Sequence, residues 1–209
     1  MSPARLTAAV AAIVAWGALA LQLVLIVRTM TGDGATVGEA VWRFFGFFTV
    51  LTCTLVGAVA SAMALRPQSA LASAPVRLAT AASIGLVGLV YSLALRALWS
   101  PTGLDAVADH ALHDVTPVMF LLAWLVGRHE GMSWRTALWA MPWPLAYVVY
   151  ALVRGAADGW YAYWFLNPSK LAPIQLAMCV AVLAAAMVAI ALLLVAIDRR
   201  LSRRRAAAA

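Results

Sequence analysis

Two polar residue types that can carry out acyl-transfer chemistry lie at the start of apolar stretches of this sequence. Thr49 follows an aromatic run, and His113 comes four residues after Asp109 and three after His110. A threonine hydroxyl becomes an effective nucleophile when a base removes its proton, and a neutral histidine oriented by a third group is the usual base. Threonine and histidine are therefore residue types that can act together in catalysis, provided that the fold brings them into contact.

Helical spacing indicates which neighbour would orient His113. In a helix Asp109 and His110 lie on the same face as His113, whereas Asp114 is turned away by about 100°. We expect Asp109 to hold the imidazole. We also expect Arg96, Asp109 and His113 to form one polar network, because ionisable groups are costly to leave unpaired in lipid.

Thr49 also has a purely structural interpretation. A threonine in a membrane span often bonds the carbonyl four residues before it, and stripes of small residues chiefly serve to pack helices. Gly46, Thr49, Cys53 and Gly57 would form such a stripe on one helix face. The sequence leaves packing and catalysis open at this position.

The histidine cluster has alternatives as well. A histidine and an aspartate at a helix start can form an interfacial polar cluster and an amino-terminal cap. His110 and His113 with Asp109 or Asp114 also resemble metal ligands, but the spacing is loose and no other histidine lies on an outer segment. We therefore expect neither a metal nor another cofactor, and we expect His129, in a short inner loop, to be solvated.

The composition excludes a soluble globular enzyme. Hydrophobic residues make up 65% of the 209 residues, charged residues make up 11%, and mean hydropathy is +0.92. Soluble domains are about half apolar and about a quarter charged. The bilayer must therefore be the solvent of this chain, and membrane lipids are its expected partners. The net charge of +7 does not indicate nucleic-acid binding, because five arginines are concentrated in the last eleven residues.

Six apolar windows have about the length needed to cross a bilayer as helices. We expect an all-α polytopic membrane protein, a six-transmembrane-helix bundle in one domain over residues 1–198, followed by a basic tail over residues 199–209. The first window also has a possible signal-cleavage pattern, but its length favours an uncleaved anchor. The windows are Leu6–Val27, Trp42–Leu65, Val76–Leu98, Ala111–Val126, Trp134–Leu152 and Ala172–Ile197.

The distribution of basic residues orients these spans. With a cytoplasmic amino terminus, ten of the fifteen basic residues fall inside and five outside, which satisfies the positive-inside rule. Both termini are then cytoplasmic, and Thr49 and His113 lie at a similar depth near the outer side. Trp42, Trp99 and Trp134 fit an interfacial aromatic belt. The inner residues are Arg5, Arg66, Arg77, Arg128, Arg135, Arg199, Arg200, Arg203, Arg204 and Arg205, and the outer ones are Arg28, Arg43, Arg96, Arg154 and Lys170.

Three segments resemble the androgen-induced family of six-span membrane proteins, whose characterised animal members are threonine hydrolases of fatty acid esters of hydroxy fatty acids. The segments are Trp42–Thr49, His110–Pro117, and Pro144–Tyr147 continuing through Gly159–Asn167. They lie within residues 42–167. The family typically has Tyr-Pro before Phe-Leu in its last outer loop, and here Trp164 occupies the proline position.

This resemblance implies a nucleophilic role for Thr49 and a catalytic role for His113. It also implies a long-chain lipid ester as substrate and, for a bacterial-type member, the plasma membrane as location. Such a reaction needs an oxyanion donor, for which Arg96, Thr52 and Tyr91 are candidates, and a cation for a carboxylate head, for which Arg43, Arg96 and Arg154 are candidates. The alternative is a non-catalytic lipid-binding or transport protein whose polar cluster lines a cavity.

Overall fold

The computed structural model of the protein describes residues 1–98, 100–127 and 129–207, and this part of the chain forms helices and loops without a β-strand. Trp99 and Arg128, assigned above to the aromatic belt and to an inner loop, lie outside the described residues. The α-helices are α1 (Pro3–Gly32), α2 (Val37–Phe44), α3 (Phe48–Leu65), α4 (Ala74–Val90), α5 (Gly103–His110), α6 (Thr116–Val126), α7 (Pro142–Asp158) and α8 (Pro173–Ala207).

Short turns of other helix types extend several of these elements. A π-helical turn, Tyr91–Leu95, and a 3₁₀ turn, Arg96–Leu98, prolong α4, and a second π-helical turn, Ala111–Val115, joins α5 to α6. A 3₁₀ segment, Trp134–Ala140, leads into α7, and a shorter one, Trp164–Leu166, follows it. Most of these turns lie near helix ends or at helix junctions, where such geometry is common.

Five helical segments within the described residues are long and apolar enough to cross a membrane, so the protein is an all-helical membrane protein. The remaining predicted window, Ala111–Val126, belongs to the α5–α6 unit, which carries three aspartates and two histidines and is less apolar. The five segments are Pro3–Gly32, Phe48–Leu65, Ala74–Leu98, Trp134–Asp158 and Pro173–Arg204.

The core of the bundle is built by α1, α3, α4 and α6. Helix α1 packs against α3 and α6, and its inward face is made of buried alanines, including Ala8 and Ala15. On α3, Gly57 lies directly against the Trp16 ring of α1, where a Cβ would clash. The close helix contact expected from the small-residue stripe is therefore present at Gly57.

The second predicted span, Trp42–Leu65, is wrong as one continuous helix. The chain leaves helical geometry after Phe44 and restarts at Phe48, so residues 45–47 form a linker between α2 and α3. The span on this part of the chain begins at Phe48, directly after the linker. The break separates Gly46 from the rest of the predicted stripe.

The prediction that His129 is solvated is also wrong. His129 is 9% exposed, and its Nδ1 lies 2.9 Å from Oδ1 of Asp198, a residue of α8 that is 1% exposed. The other carboxylate oxygen of Asp198 accepts a hydrogen bond from the Met132 amide at 2.7 Å. Asp198 thus ties the chain after α6 to the end of α8, and the helix continues past it to Ala207 instead of ending before the basic tail.

Candidate functional site

The helix break places Thr49 in the first turn of α3. The first intrahelical hydrogen bond runs from the Leu51 amide to the Phe47 carbonyl at 3.2 Å, so the amides of Phe48, Thr49 and Val50 precede the regular pattern. Helix starts carry partial positive charge, which favours nearby negative charge. Negative charge on a substrate oxygen bound beside the Thr49 hydroxyl would therefore be stabilised by the start of α3.

Two tyrosines of α7 hold the linker in place. Tyr147 donates its hydroxyl hydrogen to the Gly46 carbonyl at 2.9 Å, and Tyr150 donates to the Phe45 carbonyl at 3.1 Å. A Cβ on Gly46 would lie within 3.0 Å of Trp160 and Arg154, so only glycine fits there. The Gly46 and Phe45 carbonyls, which the helix break leaves without helical donors, are thus satisfied by side chains about one hundred residues away.

His113 lies in the π-helical turn between α5 and α6. Pro117 follows four residues later and has no amide hydrogen, so the His113 carbonyl lacks its ordinary helical donor. A Cβ added to Gly88 of α4 would lie 3.6 Å from this carbonyl and from the Pro117 ring. The wider turn and the small facing residue bring the His113 backbone close to α4.

Thr49 and His113 meet in the interior. The Thr49 Oγ1 lies 3.3 Å from the His113 Nε2, and both residues are largely buried, with Thr49 7% exposed and the His113 side chain 16% exposed. This distance is within the range expected of a nucleophile and its base in a site without bound substrate.

The partners of the other ring nitrogen determine the tautomer of His113. Its Nδ1 lies 3.0 Å from the Asp109 backbone carbonyl and 3.2 Å from the Asp109 carboxylate Oδ1. Both partners are acceptors, so the hydrogen-bond network assigns the proton to Nδ1. The Nε2 then presents a lone pair to the Thr49 hydroxyl, which is the tautomer that a general base requires.

Asp109 is itself held by Tyr91. The Tyr91 hydroxyl donates to the other Asp109 carboxylate oxygen, and the Tyr91 ring stacks on the His113 imidazole. Asp109 is 8% exposed and Tyr91 is 4% exposed. The expected contact between Asp109 and the imidazole is present, and Tyr91 contacts Asp109 and His113.

Arg96 belongs to a separate polar cluster, which corrects the prediction of one network. Arg96 pairs with Asp114, and Asp114 also bonds His110 Nδ1 at 2.7 Å. This cluster contacts the buried network of Tyr91, Asp109 and His113 through the Arg96 guanidinium, which lies 4.7 Å from the centre of the Tyr91 ring. Asp114 pairs with the arginine because it is turned away from the His113 face and its side chain is 35% exposed, whereas the Asp109 side chain is 9% exposed.

The remaining predicted substrate-binding residues have other contacts. The Thr52 hydroxyl accepts a hydrogen bond from the Trp143 indole at 3.1 Å. Arg43 lies over the Trp160 ring at 4.1 Å. Arg154 is 5% exposed and bonds Tyr150, Asp158 and the Trp42 carbonyl, so it joins α2 to α7 and is not available to a ligand.

An apolar groove of about 660 Å³, including its open mouth, lies between α4, α7 and α8 and reaches Thr49. Its walls are mostly aliphatic and aromatic side chains, with Thr49, Tyr91, Tyr147 and Tyr163 as the polar residues. Leu145 on its rim is 46% exposed, so the mouth opens across an apolar surface of α7. The groove therefore brings a predominantly apolar surface up to Thr49.

Tyr163 is a site residue that sequence reasoning missed. The Thr49 amide donates to the Tyr163 hydroxyl at 3.5 Å, although Tyr163 lies 114 residues later, in the loop between α7 and α8. Burial raises the pKa of Tyr163 above its ordinary value of 10.0, and hydrogen bonds from Thr49 and the Phe48 backbone oppose this only in part. The available sequence signal was its place directly before Trp164-Phe165-Leu166 in the last resembling segment.

Metal binding finds no support in the described part of the chain, where no group of three or more His, Cys, Asp or Glu side chains could hold an ion. No protein-family model, curated protein or solved structure matches this chain. The functional interpretation therefore depends on the geometry of the site.

Proposed function

We propose that this protein is an integral membrane hydrolase of lipid (fatty acyl) esters in which Thr49 is the nucleophile and His113 is the base. The observation that carries the proposal is the 3.3 Å contact between Thr49 Oγ1 and His113 Nε2, together with the two acceptors on Nδ1. A packing threonine needs no histidine in that tautomer. The two residues come from different helices, so local sequence alone does not impose their contact.

The chemistry follows from these positions. Thr49 Oγ1 attacks the ester carbonyl carbon while its proton passes to His113 Nε2, and the carbonyl electrons move onto oxygen. Collapse of this intermediate breaks the bond to the alcohol, which takes the proton from Nε2. Water then attacks the acyl-threonine and gives its proton to Nε2, and the Thr49 oxygen recovers that proton as the fatty acid leaves. Asp109 keeps Nδ1 facing its acceptors throughout.

The groove supports a long-chain acyl group as the part of the substrate that is recognised. Hydrophobic walls stabilise a hydrocarbon chain without hydrogen bonds, and burial of each methylene contributes about 0.8 kcal/mol. Because the rim at Leu145 opens across an apolar helix surface, such a substrate could enter from the bilayer without crossing water. Arg43 is the proposed partner for a carboxylate head at the outer end.

The proposal includes the membrane arrangement. We infer that the α5–α6 unit is the sixth transmembrane segment, that both termini are cytoplasmic, and that the location is a bacterial plasma membrane. The excess of basic residues at one end of the bundle supports this orientation. Thr49 and His113 then lie toward the outer leaflet.

The test is hydrolysis by purified protein in detergent micelles, using p-nitrophenyl palmitate and a panel of natural lipid esters. Thr49→Ser keeps a hydroxyl, so we expect measurable hydrolysis and labelling by a fluorophosphonate probe. Thr49→Val keeps the volume but loses the hydroxyl, and we expect it to abolish both.

Thr54→Val is the matched control on the same helix. The Thr54 hydroxyl bonds the Val50 carbonyl of its own helix at 2.8 Å, so its removal leaves no partner side chain unsatisfied. Thr52→Val is less suitable because it leaves the Trp143 indole N–H without its hydrogen-bond acceptor. Probe labelling that survives Thr49→Val would overturn the proposal in favour of a non-catalytic lipid-binding or transport protein.

A further inference from the structure

An ester hydrolase must stabilise the negative charge that develops on the carbonyl oxygen. The three donors suggested by the sequence are engaged elsewhere. Arg96 pairs with Asp114, the Thr52 hydroxyl faces the Trp143 indole, and the Tyr91 hydroxyl donates to Asp109. The oxyanion donor must therefore come from another residue beside Thr49.

Tyr163, in the loop between α7 and α8, places a second polar side chain beside Thr49. Its hydroxyl oxygen accepts the Thr49 amide hydrogen at 3.5 Å, and both residues line the apolar groove. Accepting that bond uses a lone pair of the hydroxyl oxygen and leaves its own hydrogen to donate. An ester carbonyl seated at Thr49 would have this hydrogen within reach.

The Tyr163 ring is held rigidly, as a preorganised donor must be. It stacks on Phe165 with ring centroids 5.1 Å apart and planes 4° apart. Phe47 and Tyr147 contact it edge-on, with centroids 6.3 Å and 6.2 Å away. Since these contacts fix the position of the hydroxyl before substrate binds, little reorganisation is needed when charge develops.

We propose that Tyr163 is the oxyanion donor of the Thr49 site, an inference that rests on the proposed ester hydrolysis. Its hydroxyl hydrogen bonds the substrate carbonyl oxygen, and this bond strengthens as the carbonyl electrons move onto oxygen. Tyr163 keeps its proton in both half-reactions. The start of α3 adds positive potential from the same side.

The decisive variant is Tyr163→Phe, which keeps the ring and its packing but removes the hydroxyl. With p-nitrophenyl palmitate we expect kcat to fall by about 10²–10³-fold, the range for one lost oxyanion donor, with little change in KM. Affinity for a long-chain trifluoromethyl ketone, which forms a charged tetrahedral adduct, should fall in parallel. Affinity for the corresponding ether, which forms no adduct, should stay unchanged.

Tyr161→Phe is the matched control in the same loop, and its ring packs over Gly155 away from the groove. We expect wild-type kcat from it. A full kcat in Tyr163→Phe, with activity still abolished by Thr49→Val, would overturn the oxyanion role and leave the hydrolase proposal intact. A lower melting temperature with equal losses for the ketone and the ether would assign Tyr163 a structural role and also overturn it. Absence of hydrolysis and probe labelling in the wild-type protein would overturn both proposals.

Discussion

Tyr91 and His113 lie face to face in the interior of the bundle, with ring centroids 4.0 Å apart and ring planes only 11° from parallel. Each residue belongs to a π-helical turn, one prolonging α4 and the other joining α5 to α6. Such turns are rare and often occur at functional sites. Here the paired turns bring the two rings together and let the Tyr91 hydroxyl reach Asp109, so the tyrosine positions both His113 and its carboxylate partner.

Two substitutions of Tyr91 should therefore distinguish the orienting role of its hydroxyl from the packing role of its ring. Tyr91→Phe keeps the stacked ring but removes the bond to Asp109, and we expect roughly a tenfold fall in kcat, the low end for loss of an outer partner of a histidine. Tyr91→Ala also removes the ring and should cost about 3–5 kcal/mol of stability. Hydrolysis rates and thermal unfolding of the two variants provide the measurement. If Tyr91→Phe matched wild type in rate, the hydroxyl would have no orienting role.

Substitution of His113 should lower the hydrolysis rate more than substitution of Asp109. His113→Ala removes the base and should lower kcat by about 10²–10⁴-fold. Asp109→Ala removes the carboxylate, yet the Asp109 backbone carbonyl still accepts from Nδ1 at 3.0 Å and preserves the tautomer. We therefore expect a smaller loss, below about a hundredfold.

A chelator provides the control for this comparison. Added EDTA should leave wild-type hydrolysis unchanged. Equal and complete losses in Asp109→Ala and His113→Ala, together with inhibition by EDTA, would instead assign Asp109 and His113 to a metal site.

Topology reporters test the orientation that places the site near the outer leaflet. Fusions after residues 35 and 105 should report an external location, and a carboxyl-terminal fusion should report the cytoplasm, as the basic-residue distribution requires. A cytoplasmic signal at residue 105 would show that the α5–α6 unit does not enter from the outer side and would contradict the six-span arrangement.

Helical periodicity was sufficient to predict the local geometry around His113. Asp109 and His113 are one helical turn apart, and the side chains of that spacing do meet, because the rule depends only on backbone geometry. The separation of Asp114 onto another partner followed from the same rule. The same rule did not predict that Asp114 pairs with Arg96, because that contact depends on how α4 and the α5–α6 unit approach each other.

The linker before Thr49 was not predictable from hydropathy. Five of the eight residues 42–49 are aromatic, and no run of polar residues marks the break. Hydrogen bonds from Tyr147 and Tyr150 stabilise it, and those residues are distant in sequence. The sequence did not predict Tyr163 as a site residue for the same reason: only the fold places this loop tyrosine beside Thr49.

The Asp198 contact with His129 gives a stability prediction that is independent of the proposed chemistry. Asp198→Ala would leave the His129 Nδ1 and the Met132 amide without their carboxylate partner at a buried site. Leaving a buried hydrogen-bond donor unsatisfied costs about 1–3 kcal/mol, so two such donors cost about 2–6 kcal/mol. In a chain of this size each kcal/mol lowers the melting temperature by about 2–4 °C. We expect a fall of roughly 4–24 °C in detergent, measured by thermal unfolding.

The rate of the remaining folded protein should not change, because the pair lies far from the nucleophile. Helix α6 lies between His113 and His129, and its 11 residues alone span roughly 16 Å at 1.5 Å per residue. Arg203→Ala is the matched control: it removes an exposed charge from the same helix and should change stability by less than about 0.5 kcal/mol. An unchanged melting temperature in Asp198→Ala would mean that the loop after α6 is solvated, as its polar sequence first indicated, and that α8 is held to the bundle by its apolar face alone.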